Sequence, residues 1–247
     1  MNLSKSLRRD ILSIASRKLK EIIYGEPEPL YARSYSQLGE DIIIDYALRR
    51  LAPAGKVAYL DLGACHPTRF NNTYSLYLKG CRGVCVEPNP ALAPSYKKWR
   101  PEDTLVQAGV GTEASDGVEF YILTADMLST FSRDEAQRIC RYGNQKIERV
   151  IKVPLVTVET ILSRYFTECP HFVSIDVESL DLAILQSIDF TRYCPLLFCV
   201  ETITYTEDKT EEKIPGITEF MKSKGYFPLA DTHINTIYAE AIAWRRK

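Results

Sequence analysis

The stretch "YLDLGACHPTRFNNTY", Tyr59–Tyr74, decides how the rest of the chain is read. An apolar run closes on Asp61, turns through Gly63 and Ala64, and meets Cys65, His66 and Pro67 where a pyrophosphate-cradling loop would carry further glycines. The small residues let backbone come close to a bound nucleoside or amino-acid moiety. The proline argues against a glycine-lined phosphate loop, so a dinucleotide is disfavoured.

Outward from this stretch, strand-like and helix-like segments alternate. "KVAYLDL", "RGVCVEP" and "DTLVQAGV" read as three successive strands, with helices over 72–78 and 91–99 between them. Their apolar residues run on without strict alternation, as expected of strands buried on both faces of a parallel sheet. Upstream, "SYSQLGEDIIIDYALRRL" predicts a helix with Ser36 as its cap and Ile42, Ile43, Tyr46, Ala47 and Leu51 on its apolar face. Downstream, "GVEFYIL" and "ERVIKVPLVTV" predict extra strands around a helix in "SRDEAQRICRYG", and the regular pattern returns with "TVETILSRYF", "HFVSIDVE", "SLDLAILQSIDF" and "PLLFCVET". "KIPGITEFMKSKGY" predicts a last crossover helix, and "YFPLA" with "INTIYAEAIAW" a closing hairpin.

The 247 residues carry 31 Lys and Arg against 32 Asp and Glu, a net charge of -1, so no global field steers the chain onto nucleic acid. A small-molecule partner is expected. Seven cysteines in an odd set without CxxC spacing fit a reducing, cytoplasmic setting and not a disulfide framework. Cys81 and Cys85 beside His66 are weighed as a zinc cluster, but Cys85 stands inside an apolar run. No run reaches the length of a membrane span, and no secretory signal pattern stands at the start. Residues 1–30 are expected to form an amphipathic helix and a Pro-containing linker, with Lys and Arg between Leu3, Leu7, Ile11, Ile14, Leu19, Ile22 and Ile23. This face suits packing on the domain or a second subunit, a homo-oligomer, with an acidic membrane surface as the alternative. Residues 31–247 are read as one domain, with 115–155 as a substrate-side insertion. In that insertion Arg133, Arg138, Arg141, Lys146 and Arg149 make either a solvated face or a contact for phosphate.

Asp61, Glu87, Asp176 and Glu201 all fall at the ends of expected strands, the edge where an open parallel sheet binds ligands. Glu87 is placed to accept hydrogen bonds from two ribose hydroxyls.

Together "YSQLGED", "YLDLGACHPTRFNNTYSLYLKGCRGVCVEPNP", "FVSIDVESLDLAIL" and "INTIY" resemble the FkbM-type methyltransferases, over roughly 35–238. The resemblance implies an α/β, Rossmann-like methyltransferase fold, a mainly parallel sheet with an antiparallel terminal strand, and S-adenosylmethionine as cofactor. It implies cofactor contacts from Asp61, Gly63, Ala64, Glu87 and Asn89, adenine contacts from Gln107 and Ala108, and a closing role for Gln37. "GACHP" departs from the family's more glycine-rich loop, and Ser179 with Asp181 departs from its acidic turn.

Asp176, Glu178, Asp181 and Glu201 also form an oxygen-rich set in which a divalent cation, Mg²⁺ or Mn²⁺, is weighed, with Asp176 and Glu201 as its first ligands and His233 as a third. For proton removal from an acceptor hydroxyl, Asp176, His66 and His233 are the candidates, and sequence does not choose among them. The acceptor implied is a sugar hydroxyl, on a nucleotide sugar or a capsule or other surface-polysaccharide precursor. A dinucleotide-dependent sugar-modifying enzyme and a non-catalytic Rossmann-like binding protein are the alternatives.

Overall fold

The computed structural model describes residues 33–52, 56–177, 180–203 and 212–246. Ser34–Lys247 forms one compact unit. The expected N-terminal helix and linker, and Glu178 and Ser179, lie outside the described residues.

Among the described residues the strands are β1 (Ala58–Leu62), β2 (Arg82–Val86), β3 (Thr104–Val106), β4 (Gly109–Val110), β5 (Ser115–Leu123), β6 (Ile147–Val156), β7 (Phe172–Ile175), β8 (Leu197–Glu201), β9 (Tyr226–Asp231) and β10 (Asn235–Glu240). The helices are α1 (Glu40–Leu51), α2 (Tyr74–Leu78), α3 (Ala93–Trp99), α4 (Arg133–Tyr142), α5 (Val158–Tyr165), α6 (Asp181–Ser187), α7 (Pro215–Ser223) and α8 (Ala241–Arg245).

The main sheet runs β3-β2-β1-β7-β8-β10-β9. Strands from β3 to β8 are parallel, and β10 lies antiparallel between β8 and β9. Chain order reverses between β1 and β7, and at such a switch point the helices diverge and leave a crevice beyond the strand tips. The expected mainly parallel sheet with its antiparallel strand is thus the observed one.

Side-chain alternation along β1 divides the core. Leu60 and Leu62 join Val84, Val86, Val173, Ile175 and the helices α5, α6 and α7 on one face. Tyr59 joins Cys85, Cys199, Ile237 and the helices α1, α2 and α3 on the other. With a period of two, Asp61 must share the face of Tyr59.

Three expectations need correction. "DTLVQAGV" is not one strand: β3 ends at Val106, Gln107 and Ala108 break it, and β4 belongs to a separate sheet ordered β4-β6-β5. The α1 face is rotated, with Ile44, Ala47, Leu48 and Leu51 buried while Ile42 and Tyr46 are 40% and 57% exposed. Its N-cap position is Gly39, while Ser36 Oγ, three residues earlier, accepts from the Asp41 N–H of the first turn at 3.3 Å. The closing hairpin ends at Glu240, whose carboxylate accepts from the backbone N–H groups of Ile242 and Ala243 and starts α8 instead.

Candidate active site

The loop after β1 is held from three directions. The backbone N–H groups of Gly63 and Ala64 donate to the Val86 carbonyl at the tip of β2, at 3.1 and 3.0 Å. The Ala64 carbonyl accepts from Asn71 Nδ2 at 3.0 Å and from the Tyr96 hydroxyl at 3.2 Å. Gly63 itself has φ +75°, and an added Cβ would stand 1.7 Å from the Asp176 carbonyl oxygen. Only glycine fits there, and the crevice floor is bare backbone.

Below the loop sits a buried cation. Arg100 donates to Asp103 Oδ2 at 2.7 Å, to Asn71 Oδ1 at 3.1 Å, to Thr73 Oγ1 at 2.9 Å and to the Tyr59 hydroxyl at 3.1 Å. Asp61 joins this network, accepting from Thr73 Oγ1 at 2.6 Å. Burial pushes the Asp61 carboxyl up, while Arg100 and Thr73 pull it down. Asp61 therefore faces away from the crevice and fastens the 71–73 turn beneath it.

The crevice is an open cleft whose empty space, about 780 Å³, runs out into solvent. Gln37, Gly63, Glu87, Ala108 and Asp176 line it, so five of the expected site residues converge. Val86, Val110, Phe120 and Phe131 give it an apolar wall, and Phe70, Asp126 and Met127 stand at its margin. Of the other expected residues, Ala64 is buried behind the loop and Gln107 points to solvent. Asn89 is buried, caps the turn at Pro90–Leu92 by accepting from the Ala91 N–H, and donates from Nδ2 to Asp126 Oδ1 at 3.1 Å. His66 Nδ1 accepts from the Thr68 N–H at 3.2 Å, outside the lining.

Glu87 is the most confined of the lining acids. Its two oxygens accept from the N–H groups of Cys65 at 2.9 Å and Asn89 at 2.7 Å. Burial nevertheless drives its carboxyl up to about 7, with Asp126 and Asp61 adding to the push. Each carboxylate oxygen offers two acceptor sites, so Glu87 retains capacity for a ligand's hydroxyls.

Asp176 follows β7, and burial raises it to about 6 against a hydrogen bond with Glu201 that lowers it. A carboxyl poised near neutrality can take a proton from a reacting group. The expected metal set is not assembled: among the described residues no group of three or more His, Cys, Asp or Glu is arranged to hold a metal ion. Asp176 and Glu201 bond to each other, and His233 is exposed on the β9–β10 turn at φ +76°. The Cys81, Cys85 and His66 cluster likewise does not form, and all seven cysteines are free thiols.

Sequence reasoning missed what holds Gln37 over the cleft. Glu40 accepts from the Leu38 N–H at 2.8 Å, Thr232 Oγ1 at 2.6 Å and Asn235 Nδ2 at 3.2 Å, and these bonds keep its buried carboxyl low against desolvation. Asp41 accepts from the Tyr35 N–H and the hydroxyls of Ser34 and Ser36. The signal was present in two adjacent acids opening an apolar helix, where carboxylates meet free N–H groups.

The residues fit S-adenosylmethionine. A side-chain-free floor at Gly63, an acceptor with spare lone pairs at Glu87 and an apolar slot beside Ala108 and Val110 match an adenosyl group, and no phosphate cradle is needed. A crevice of this kind at the switch point of a mainly parallel sheet defines an S-adenosylmethionine-dependent methyltransferase of Rossmann-like fold. Sequence comparison names the family: the profile of the methyltransferase FkbM domain matches residues 61–228, and the chain belongs to that family.

Solved structures with an overlapping trace include the 1,6-didemethyltoxoflavin-N1-methyltransferase of Burkholderia thailandensis, 10% identical, covering 97% of this chain and 90% of that one at a TM-score of 0.40. An amino pentose methyltransferase of Micromonospora echinaspora is 7% identical over 97% of this chain and 99% of that one, TM-score 0.43. The magnesium protoporphyrin IX methyltransferase of Synechocystis is 12% identical over 96% and 98%, TM-score 0.37. These overlaps are loose, and the family match carries the assignment. No curated protein sequence matches the chain.

Proposed function

We propose that the enzyme methylates a hydroxyl oxygen of a saccharide, with Asp176 as the group that receives the hydroxyl proton. The observation that carries this reading is Asp176 itself: it lines the cleft beside the Gly63 loop, and its carboxyl is held near 6. A sugar hydroxyl is a weak acid, so its attack needs a base within the site. When bound, S-adenosylmethionine supplies an electrophilic methyl group.

The chain's own residues do the rest. Glu87 accepts hydrogen bonds from the ribose hydroxyls and fixes the donor's orientation, which is worth more than binding strength alone. Gly63 and Val86 keep the floor bare and dry. Asp176 takes the acceptor's proton as its oxygen attacks, and the hydrogen bond with Glu201 favours the carboxylate form of Asp176 that must be present beforehand. His66 and His233 are the competing bases, and neither lines the cleft.

The division into an N-terminal segment over 1–30 and a catalytic domain over 31–247, with 115–155 as a substrate-side insertion, belongs to the same proposal. It is supported by the five insertion residues Phe120, Asp126, Met127, Ser129 and Phe131 in the cleft lining. A cytoplasmic setting is supported by the free cysteines. No helix among the described residues is long and apolar enough to cross a membrane.

Calorimetric titration with S-adenosylmethionine and its demethylated product, followed by mass detection of methyl addition to a saccharide panel, tests the reading. Absence of binding by either cofactor form overturns it.

A further inference from the structure

We infer that the acceptor presents no phosphate or carboxylate to the cleft, and that the enzyme selects a neutral or amino-bearing saccharide over a sugar phosphate or nucleotide sugar. This rests on the saccharide reading above and narrows it. Three carboxyl groups from three separate elements meet at the cleft: Glu87 beyond β2, Asp126 from the turn at Asp126–Leu128, and Asp176 beyond β7. Among the described residues no Lys, Arg or His lines it.

The cations that sequence offered for phosphate stand elsewhere. Arg138 is bound to Glu135 on its own helix, and Arg133 and Arg141 on α4, Lys146 just before β6 and Arg149 on β6 are exposed, outside the lining. Arg69 and His66, on the loop that contributes Phe70, also lie outside it.

The chemistry is one-sided. Carboxylates accept hydrogen bonds, hydroxyl and ammonium groups donate them, and a phosphate dianion only accepts. A phosphoryl group in this cleft would meet like charge with no cationic donor among the described lining residues. Asp126 is the selective element. One of its oxygens accepts from Asn89, and the side chain is exposed at the mouth, where an incoming acceptor meets it first. Phe70 and Met127, 56% and 40% exposed, add apolar surface that suits the C–H face of a sugar ring.

The test compares neutral and amino hexoses, 6-deoxyhexoses and pentoses with their 1-phosphates and nucleoside diphosphate forms, reading methyl transfer from S-adenosylmethionine and binding to the product-loaded protein. The expected kcat/KM favours the neutral or amino form by about tenfold or more, as like-charge juxtaposition demands. Asp126→Asn, which keeps an oxygen for Asn89, narrows that ratio several-fold, and Asp126→Glu preserves it. Preference for the phosphorylated forms, or a ratio unmoved by Asp126→Asn, overturns the inference and leaves the saccharide reading standing. Neither transfer to nor binding of any saccharide overturns both.

Discussion

Gly63 and Asp176 meet backbone to backbone: a Cβ on the glycine would lie 1.7 Å from the Asp176 carbonyl oxygen. The tips of the two strands at the switch point are thereby locked together, and the donor's floor and the candidate base share one rigid joint. Gly63→Ala must open that joint and adopt φ +75°. Overpacking and a left-handed backbone together cost about 3 kcal/mol. Urea denaturation should show the loss, accompanied by weaker donor binding. An unchanged midpoint would mean that the two tips part easily.

Glu87→Gln separates charge from shape. The native carboxyl sits at about 7, above its ordinary value of 4.5, so the folded protein holds a proton that the unfolded chain has released. The stability from that proton is full below the ordinary value and is lost as pH rises through about 7. Melting of the ligand-free native enzyme should therefore drop between pH 4.5 and about 7 more than melting of the variant does. Donor affinity should fall about 10- to 100-fold in the variant, the worth of charge-assisted hydrogen bonds. Parallel melting curves across that range would contradict the assignment of the shift to Glu87.

Asp176 should set the acid limb of the activity profile. Its base form is lost below about 6, so kcat/KM should rise through that pH and then level. Asp176→Asn should lower kcat by about 10²- to 10⁴-fold. Glu201→Ala removes a hydrogen bond that holds Asp176 down and should move the limb to higher pH. Replacing His66 or His233 with alanine should leave the limb in place. A limb that vanishes with His66 instead would transfer the base to the loop after β1.

Arg100 is a buried cation with its counterion Asp103 beside it, at side-chain exposures of 0% and 1%. Arg100→Ala strands the carboxylate and releases Asn71 and Thr73. The expected cost is about 3–5 kcal/mol, as for other broken buried pairs. Donor binding should weaken as well, because the Ala64 carbonyl loses its tethered partner. A variant that unfolds at the native urea midpoint would show that Asp61 and Tyr96 hold the loop unaided.

The sheet was legible because its strands are short apolar runs ending in acids, and burial on both faces leaves a strong local pattern. Glu87, Asp176 and Gly63 were legible for the same reason, since each follows a strand that sequence marks clearly. Asp61 was harder. It stands at a strand end like the others, and only its alternation with Leu60 and Leu62 reveals that it faces α1–α3. Arg100 was not found, because its partners Tyr59, Asn71, Thr73 and Asp103 are scattered along the chain and converge through tertiary packing. The break at Gln107 and Ala108 was hidden for a related reason: apolar residues on both sides continue the strand pattern while the hydrogen bonds pass to another sheet.

That two-residue passage from β3 to β4 has a consequence for inheritance. The small sheet grows directly from the donor's wall, and Phe120 and Phe131 of the insertion line the same cleft as Val86 and Ala108. On the proposed reading, acceptor taste cannot drift as a detachable module, since every change in the insertion also repaints part of the donor's room. Chimeras that exchange the insertion between relatives will need the segment from Gln107 to Val110 to travel with it.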